Sequence, residues 1–483
     1  MNNIRINNGQ KKHNYSYLNK TLSTCPYCLE LVDTKIVIET NKVFFIKNCQ
    51  THGISKALVS EDAEYYLNTF QYTQPGSIPF QSASCYQKGC PFDCGLCNQH
   101  EQHTCHPIIE ITDYCNLNCP ICFVNNNDSY HMDVDVFSMI IENLIESEGH
   151  LENITLSGGE PTLHPRFWEL VNIAKRPEIA RISIVTNGIR LAQDRDFCRR
   201  MKENDLYAIL QWDGFDNGVY HNLRGIPLLD IKNNALRNLM EDKISTQLIY
   251  VVVKRVNDDQ LGQSLDLLLE KESILSIVYQ PLSLEGKNGS KYPHDPLDRI
   301  TIPGIINKLS EQSNGLLKKE DFFPLPCPNP QCVSLTYLLM LEEGSYTPMT
   351  RFINVKEYLN IFSRSATLPP DRKTEEVFHR ILTDLWSTSG ENPENQKIVN
   401  ALKRVINEIY PKENINYQNR IKISEKQAKS IFIHHYMDRY NFDISRVVKC
   451  CHHYPKPDQH IYPICSYNLF YREKKGKPTV VGK

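Results

Sequence analysis

At 483 residues the chain is long enough for a large core and for more than one domain. Lys and Arg (54) nearly balance Asp and Glu (56), for a formal net charge of -2, so no global field draws nucleic acid or anionic lipid. The longest apolar runs, such as IYVVV at 249–253 and LTYLLML at 335–341, fall well short of the roughly 20 residues of a membrane-spanning helix; a soluble chain without a transmembrane segment is expected.

The N-terminus, MNNIRINNGQKKHNYSYLNK, lacks both the apolar core of a secretory signal and the Arg-rich pattern of a transit peptide, which predicts a cytoplasmic protein. In that reducing compartment, 17 cysteines in clusters point to metal ligands or catalytic groups rather than disulfides. CPYC at 25–28 and NCQTHG at 48–53 offer Cys25, Cys28, Cys49 and His52, a set fit for tetrahedral zinc or a rubredoxin-like mononuclear iron. Between them KIVIETNKVFFIK predicts two short strands around Thr40, Asn41 and Lys42 that bring the knuckles together. We read residues 20–75 as a metal-binding ribbon.

Residues 80–106 form an auxiliary cysteine segment with Cys85, Cys90, Cys94, Cys97 and Cys105. The prolines and glycines between them suit loops wrapping an iron–sulfur cluster; a second zinc site is the alternative.

From 107 to 285 strand and helix patterns alternate. Apolar runs at 107–112, 153–157, 181–186, 207–212, 247–253 and 276–282 predict six buried strands, and segments such as 134–148 and 259–272 have helical spacing. Repeated βα units predict an α/β fold with a parallel sheet, six of them suiting a partial (β/α)6 barrel. A doubly wound sheet is the competing architecture.

DYCNLNCPICF at 113–123 places Cys115, Cys119 and Cys122 in a C-x3-C-x2-C spacing at the C-terminal end of the first strand, where parallel α/β proteins carry their chemistry. Three thiolates can hold three irons of a [4Fe-4S] cube and leave the fourth iron open; a zinc knuckle would call for a fourth ligand close by. LSGGEPTLHP at 156–165, VTNGIR at 185–190 and LQWDG at 210–214 put Gly158, Gly159, Glu160, Asn187, Gln211 and Asp213 at the ends of the next three strands. Singly these read as turns or caps; together they line one rim.

With Phe123 following the last cysteine, the motif resembles the signature of the radical S-adenosylmethionine enzymes. That resemblance implies reductive cleavage of S-adenosylmethionine to a 5'-deoxyadenosyl radical. It also implies that Gly158, Gly159 and Glu160 receive the methionyl amino group, with Phe123, Asn187, Gln211 and Asp213 around the cofactor.

After the barrel, residues 283–300 read as a loop. The C-terminal part, 286–483, has helical patterns at 396–410 and 425–440 and the late cysteines Cys327, Cys332, Cys450, Cys451 and Cys465. These are too few in either stretch for a cluster of their own, so they combine with each other or with the early block in an α-rich, cluster-binding region. One or two auxiliary [4Fe-4S] clusters are expected.

The order of all these motifs resembles the group that includes archaeal tetraether lipid synthase and the 7,8-dihydro-6-hydroxymethylpterin methyltransferases. It implies a carbon–carbon bond, by methylation or alkyl coupling, at an unactivated carbon of a pterin-like molecule or a lipid. A low-potential electron donor such as flavodoxin or ferredoxin would feed the cluster. The alternatives are a peptide maturase, a non-catalytic iron–sulfur electron carrier, and a zinc-rich nucleic-acid module, the last opposed by the balanced charge.

Overall fold

The structure, a computed structural model, describes residues 14–472 except 83, 125–129, 342–344, 364, 366–367, 389–392 and 412–414. Most of the polar N-terminal stretch therefore lies outside the described residues.

Ser16–Thr24 (β1), Leu31–Glu39 (β2), Lys42–Cys49 (β3) and Gly53–Ser60 (β4) pair antiparallel in that order. Strands β2 and β3 turn through Thr40 and Asn41, whose φ angles of 48° and 60° are those of a two-residue hairpin loop. The hairpin buries Ile36, Val43 and Phe45 against Ala63–Thr69 (α1). The Asp62 side chain caps that helix by accepting from the amides of Glu64 and Tyr65.

The six strands expected for the barrel are His106–Thr112 (β5), Ile154–Gly158 (β6), Ile182–Thr186 (β7), Tyr207–Gln211 (β8), Thr246–Val252 (β9) and Ile274–Pro281 (β10). They lie parallel and side by side in chain order. A doubly wound sheet would reverse its order at a switch point; the unbroken order here is that of a barrel. Between the strands run Val134–Glu148 (α2), Phe167–Ala174 (α3), Ile189–Gln193 (α4), Arg195–Glu203 (α5), Asn217–Arg224 (α6), Leu229–Glu241 (α7) and Leu261–Glu270 (α8). Alternate strand residues such as Ile109, Leu156, Ile184, Leu210 and Leu248 bury against them in the main core.

The C-terminal part comprises Gly286–Gly289 (α9), Ile302–Gln312 (α10), Phe323–Pro324 (β11), Val333–Met340 (β12), Tyr346–Pro348 (β13), Arg372–Thr388 (α11), Pro393–Ile409 (α12) and Tyr417–Gln427 (α13). It continues through Ala428–His434 (β14), Ile444–Val447 (α14), His452–Pro455 (β15), Ile461–Pro463 (β16), Ile464–Ser466 (α15) and a π-helical turn at Tyr467–Tyr471. One expectation is corrected here: the helix read over 425–440 stops at Gln427 and the chain becomes strand β14. Period-2 burial of Ile431 and Ile433, paired to β10 on one side and β12 on the other, outweighs the helical spacing. At the opposite edge β15 pairs parallel to β5. Late segments thus extend the barrel sheet at both ends.

Candidate active site

The cysteine loop leaves β5 and is held by backbone packing against the end of β6. The amides of Gly159 and Glu160 donate to the carbonyls of Thr112 and Tyr114, each at 2.7 Å. A Cβ on Gly158 (φ 124°) would stand 2.0 Å from the Thr112 carbonyl oxygen, and one on Gly159 would stand 2.3 Å from that of Tyr114. These two glycines let two backbones touch, a need distinct from the ligand approach that the motif suggests. From the other side α9 grips the loop: the Gly289 amide donates to the Cys122 carbonyl (3.1 Å) and Asn288 Nδ2 to the Cys119 carbonyl (3.1 Å). Phe123 packs directly on Gly286.

Cys115, Cys119 and Cys122 open onto one cavity of 220 Å³, whose wall also includes Phe123, Gly158, Gly159, Asn187 and Gln211. Burial pushes the Cys115 thiol up to about 12 and Cys122 to about 11, so iron binding there displaces protons. No other cysteine lines this cavity among the described residues, and the trio fits a [4Fe-4S] cluster with one open iron. Asn187 Nδ2 bonds Asn116 Oδ1 at 2.7 Å and reaches Cys115 Sγ at 4.0 Å, tying the end of β7 to the cysteine loop.

Glu160 and Asp213 stand behind this wall. Glu160 is 1 % exposed and accepts from the Thr162 hydroxyl (2.5 Å), the Thr186 hydroxyl (2.9 Å) and the Asn187 amide (2.8 Å); burial raises its pKa. Asp213, fully buried, holds Arg224 through two 2.8 Å hydrogen bonds. Arg224 itself lines the cavity and reaches the Cys119 thiol. Lys232, also fully buried, donates to the Asn187 carbonyl at 2.6 Å, and burial lowers it to about 8. The sequence reading missed both cations: they sit on α6 and α7 at no diagnostic spacing, though HNLRG at 221–225 follows the Asp213 strand end closely enough to suggest a pair.

Ile108, Val185, Ile249, Gln280 and Tyr436 line both this cavity and a larger chamber of 290 Å³ deeper in the barrel. An inward belt of Phe432, Val278, Ile249, Ile209 and Val185 makes the chamber largely apolar, and α11, α12 and α13 contribute Phe378, Leu402, Val405 and Tyr417 to its far end.

In the ribbon, Cys28 and Cys49 sulfurs lie 3.8 Å apart and His52 Nδ1 is 3.6 Å from both Cys25 and Cys49. Tetrahedral zinc with bonds of about 2.0–2.3 Å spaces its ligands by roughly these distances, so the four residues fit zinc. Backbone and side-chain hydrogen bonds from His52 lower Cys49 to about 6.

The remaining cysteines form three neighbourhoods. Cys105, Cys327 and Cys451 have all their sulfurs within 4.8 Å of one another. Cys90, Cys94 and Cys97 interact, and hydrogen bonding to Cys90 together with burial holds the Cys94 thiol well above its ordinary range. Cys332, Cys450 and Cys465 form the third, with Arg446 Nε donating to Cys332 Sγ at 3.2 Å. Cys85 is exposed, and Cys198, set in the main core, joins none of them. The early and late blocks therefore interleave, and the set suits auxiliary clusters.

The radical SAM superfamily profile matches residues 109–268, and the profile of the HMPTM N-terminal zinc ribbon domain matches residues 17–61. Over 94% of its length the chain is 32% identical to the 7,8-dihydro-6-hydroxymethylpterin dimethyltransferase of Methanocaldococcus jannaschii, and covers 94% of that protein. A probable GTP 3',8-cyclase of Thermoplasma volcanium is 23% identical over 49% of this chain and 77% of its own. Among solved structures, Streptococcus suis SuiB bound to precursor peptide SuiA superposes with a TM-score of 0.35 at 19% identity, over 41% of this chain and 44% of that one. Among the described residues, no helix is long and apolar enough to cross a membrane.

Proposed function

This chain belongs to the radical SAM superfamily, in the family of the Methanocaldococcus jannaschii 7,8-dihydro-6-hydroxymethylpterin dimethyltransferase, and we propose that it methylates a carbon of a reduced, pterin-like small molecule. The observation that carries the reading is the likeness over 94% of both chains. Cys115, Cys119 and Cys122 would hold a [4Fe-4S] cluster, which when reduced would supply the electron for cleavage of S-adenosylmethionine. The chain's own work is placement. Arg224 at the cavity wall matches the methionyl carboxylate, and Asp213 holds Arg224. Glu160 fixes the strand ends, while Phe123, Gly158, Gly159, Asn187 and Gln211 shape the pocket for the rest of the cofactor.

The substrate reaches this pocket from the chamber. At the junction Gln280 and Tyr436 offer hydrogen-bonding groups, and nearby His434, which burial lowers to about 3, stays neutral with one donor and one acceptor nitrogen. A flat, nitrogen-rich ring suits these partners, and the apolar belt keeps water away from a reactive radical. The apolar walls favour a second reading, an alkyl chain of a lipid. In the proposed division of labour, 20–75 stabilises the fold, 107–285 runs the radical step, and 80–106 with 286–483 carry auxiliary centres, in the cytoplasm with a flavodoxin or ferredoxin as donor.

The test is 5'-deoxyadenosine release and methyl incorporation by anaerobically reconstituted protein with dithionite, comparing a reduced pterin, a lipid extract and no addition. Stimulation by the pterin alone, abolished in Cys115→Ala, is expected. Stimulation by the lipid extract alone would replace the pterin with a lipid.

A further inference from the structure

One buried ammonium joins the two carboxylates that stand behind the cysteine cavity. Lys232, the fourth residue of α7, has no exposed surface. Its Nζ donates to the Asn187 carbonyl at 2.6 Å and to Gln211 Oε1 at 3.4 Å. The Asn187 amide in turn donates to Glu160 Oε2 at 2.8 Å, and Gln211 Nε2 donates to Asp213 Oδ2 at 2.9 Å. A single side chain thus ties together the ends of β6, β7 and β8 through Asn187 and Gln211, both of which line the cavity.

Stability alone does not explain a lysine at this place. Burial disfavours its charge, and close to the N-terminus of α7 the helix dipole opposes a cation. Asp213, Cys119 and Glu160 favour the ammonium while Arg224 opposes it, and the balance leaves Lys232 at about 8, still charged at neutral pH. Its Nζ lies 5.9 Å from the ring of Tyr220, which packs with Leu117, Cys119 and Leu228 in one buried apolar cluster that also takes in Cys115 and Cys122. In such surroundings a charge acts more strongly on its neighbours than it would in water.

We propose that Lys232 is a positioning residue for the radical step: its ammonium fixes Asn187 and Gln211 at the pocket wall, and its charge raises the reduction potential of the cluster that Cys115, Cys119 and Cys122 would hold. Adding one electron to a centre already ligated by three thiolates makes it more negative, and a fixed cation nearby offsets that cost. Arg224 is matched directly by Asp213 through two 2.8 Å hydrogen bonds, whereas Lys232 meets Glu160 and Asp213 through Asn187 and Gln211. This role presupposes the cluster on the central loop and is independent of the substrate.

Full-length protein is reconstituted anaerobically without S-adenosylmethionine, its iron is counted, and the EPR signal that is missing in Cys115→Ala is titrated against potential. Lys232→Met removes the charge and the hydrogen bonds; Lys232→Gln removes the charge and keeps a donor for the Asn187 carbonyl. Both are expected to hold the loop's iron and to titrate lower, with the ratio of reduced to oxidised centre at least about tenfold smaller at a fixed potential, or about 59 mV for one electron. Basal 5'-deoxyadenosine release falls in step with a weak reductant and returns with titanium(III) citrate, a rescue that a merely structural defect would not show. Lys232→Arg, which keeps the charge, is expected to retain the wild-type midpoint. Where Lys232→Met loses its iron, Lys232→Gln decides. A wild-type midpoint in Lys232→Gln overturns the role of the charge, whereas a Cys115→Ala protein that loses no EPR signal overturns the cluster on that loop itself, so the two failures are told apart.

Discussion

Asp438 has no exposed surface and is held by Arg299 through hydrogen bonds of 3.1 and 2.7 Å. Burial by itself raises its carboxyl, but the Arg299 guanidinium outweighs this and sets it at about 2. The folded value lies below the unfolded one of about 3.9. Its contribution is therefore complete above that value and is lost as the pH falls towards 2. Asp438→Asn leaves Arg299 buried beside a neutral partner and is expected to cost about 3–5 kcal/mol, read from denaturant midpoints, with a flatter acid limb between about pH 4 and 2. Residues of this kind carry no signature in the sequence, because Arg299 and Asp438 meet only through the fold. The cysteines of the central loop are the opposite case: their local spacing, which is what a sequence displays, already puts all three on one loop, and that loop opens onto one cavity.

Element by element, β2, β3 and the six barrel strands are readable because each is a short apolar run bounded by turn or polar residues. Strand β14 is not, since the contrary signal comes from β10 and β12, whose pairing with it is non-local. The short helix α9 escapes for a related reason. Its residues look like a surface loop, and only contact with the cysteine loop gives them their place. Gly286 has φ 72°, and a Cβ there would come 2.3 Å from the Phe123 carbonyl oxygen. Gly286→Ala is expected to cost at least about 2 kcal/mol and to lower the iron held by the central loop. Gly315→Ala, at φ 83° but with open space around it, is the control for backbone strain alone; equal iron loss in both variants would remove α9 from the support of the cluster loop.

At the scale of the whole molecule, two cavities with shared walls join the cysteine loop to the interior of the barrel. The larger one is the chamber proposed for the substrate. Val278→Trp fills that chamber without touching the cysteine loop. It is expected to reduce substrate-stimulated turnover, as kcat/KM, by about 100-fold or more while basal 5'-deoxyadenosine release in the absence of substrate persists. Loss of both together would mean that the chamber belongs to the cofactor site. The metal neighbourhoods were only half legible: the sequence shows that early and late cysteines must combine, but which ones meet depends on how strands distant in the chain are laid side by side.

That arrangement has a consequence for how the molecule is made. Both edges of the parallel sheet are finished by strands from the end of the chain, β14 beside β10 and β15 beside β5. Synthesis runs from the N-terminus at about 5–20 residues per second, so the barrel emerges from the ribosome with two raw edges, while the ribbon and the central cysteine loop have all their ligands early. Cys105 has to wait for Cys451, which lies beyond the whole barrel in the chain. That inner trio therefore cannot assemble before residue 451 has been made, and a chain cut short before residue 428 would complete its ribbon but present unpaired strands to whatever it met.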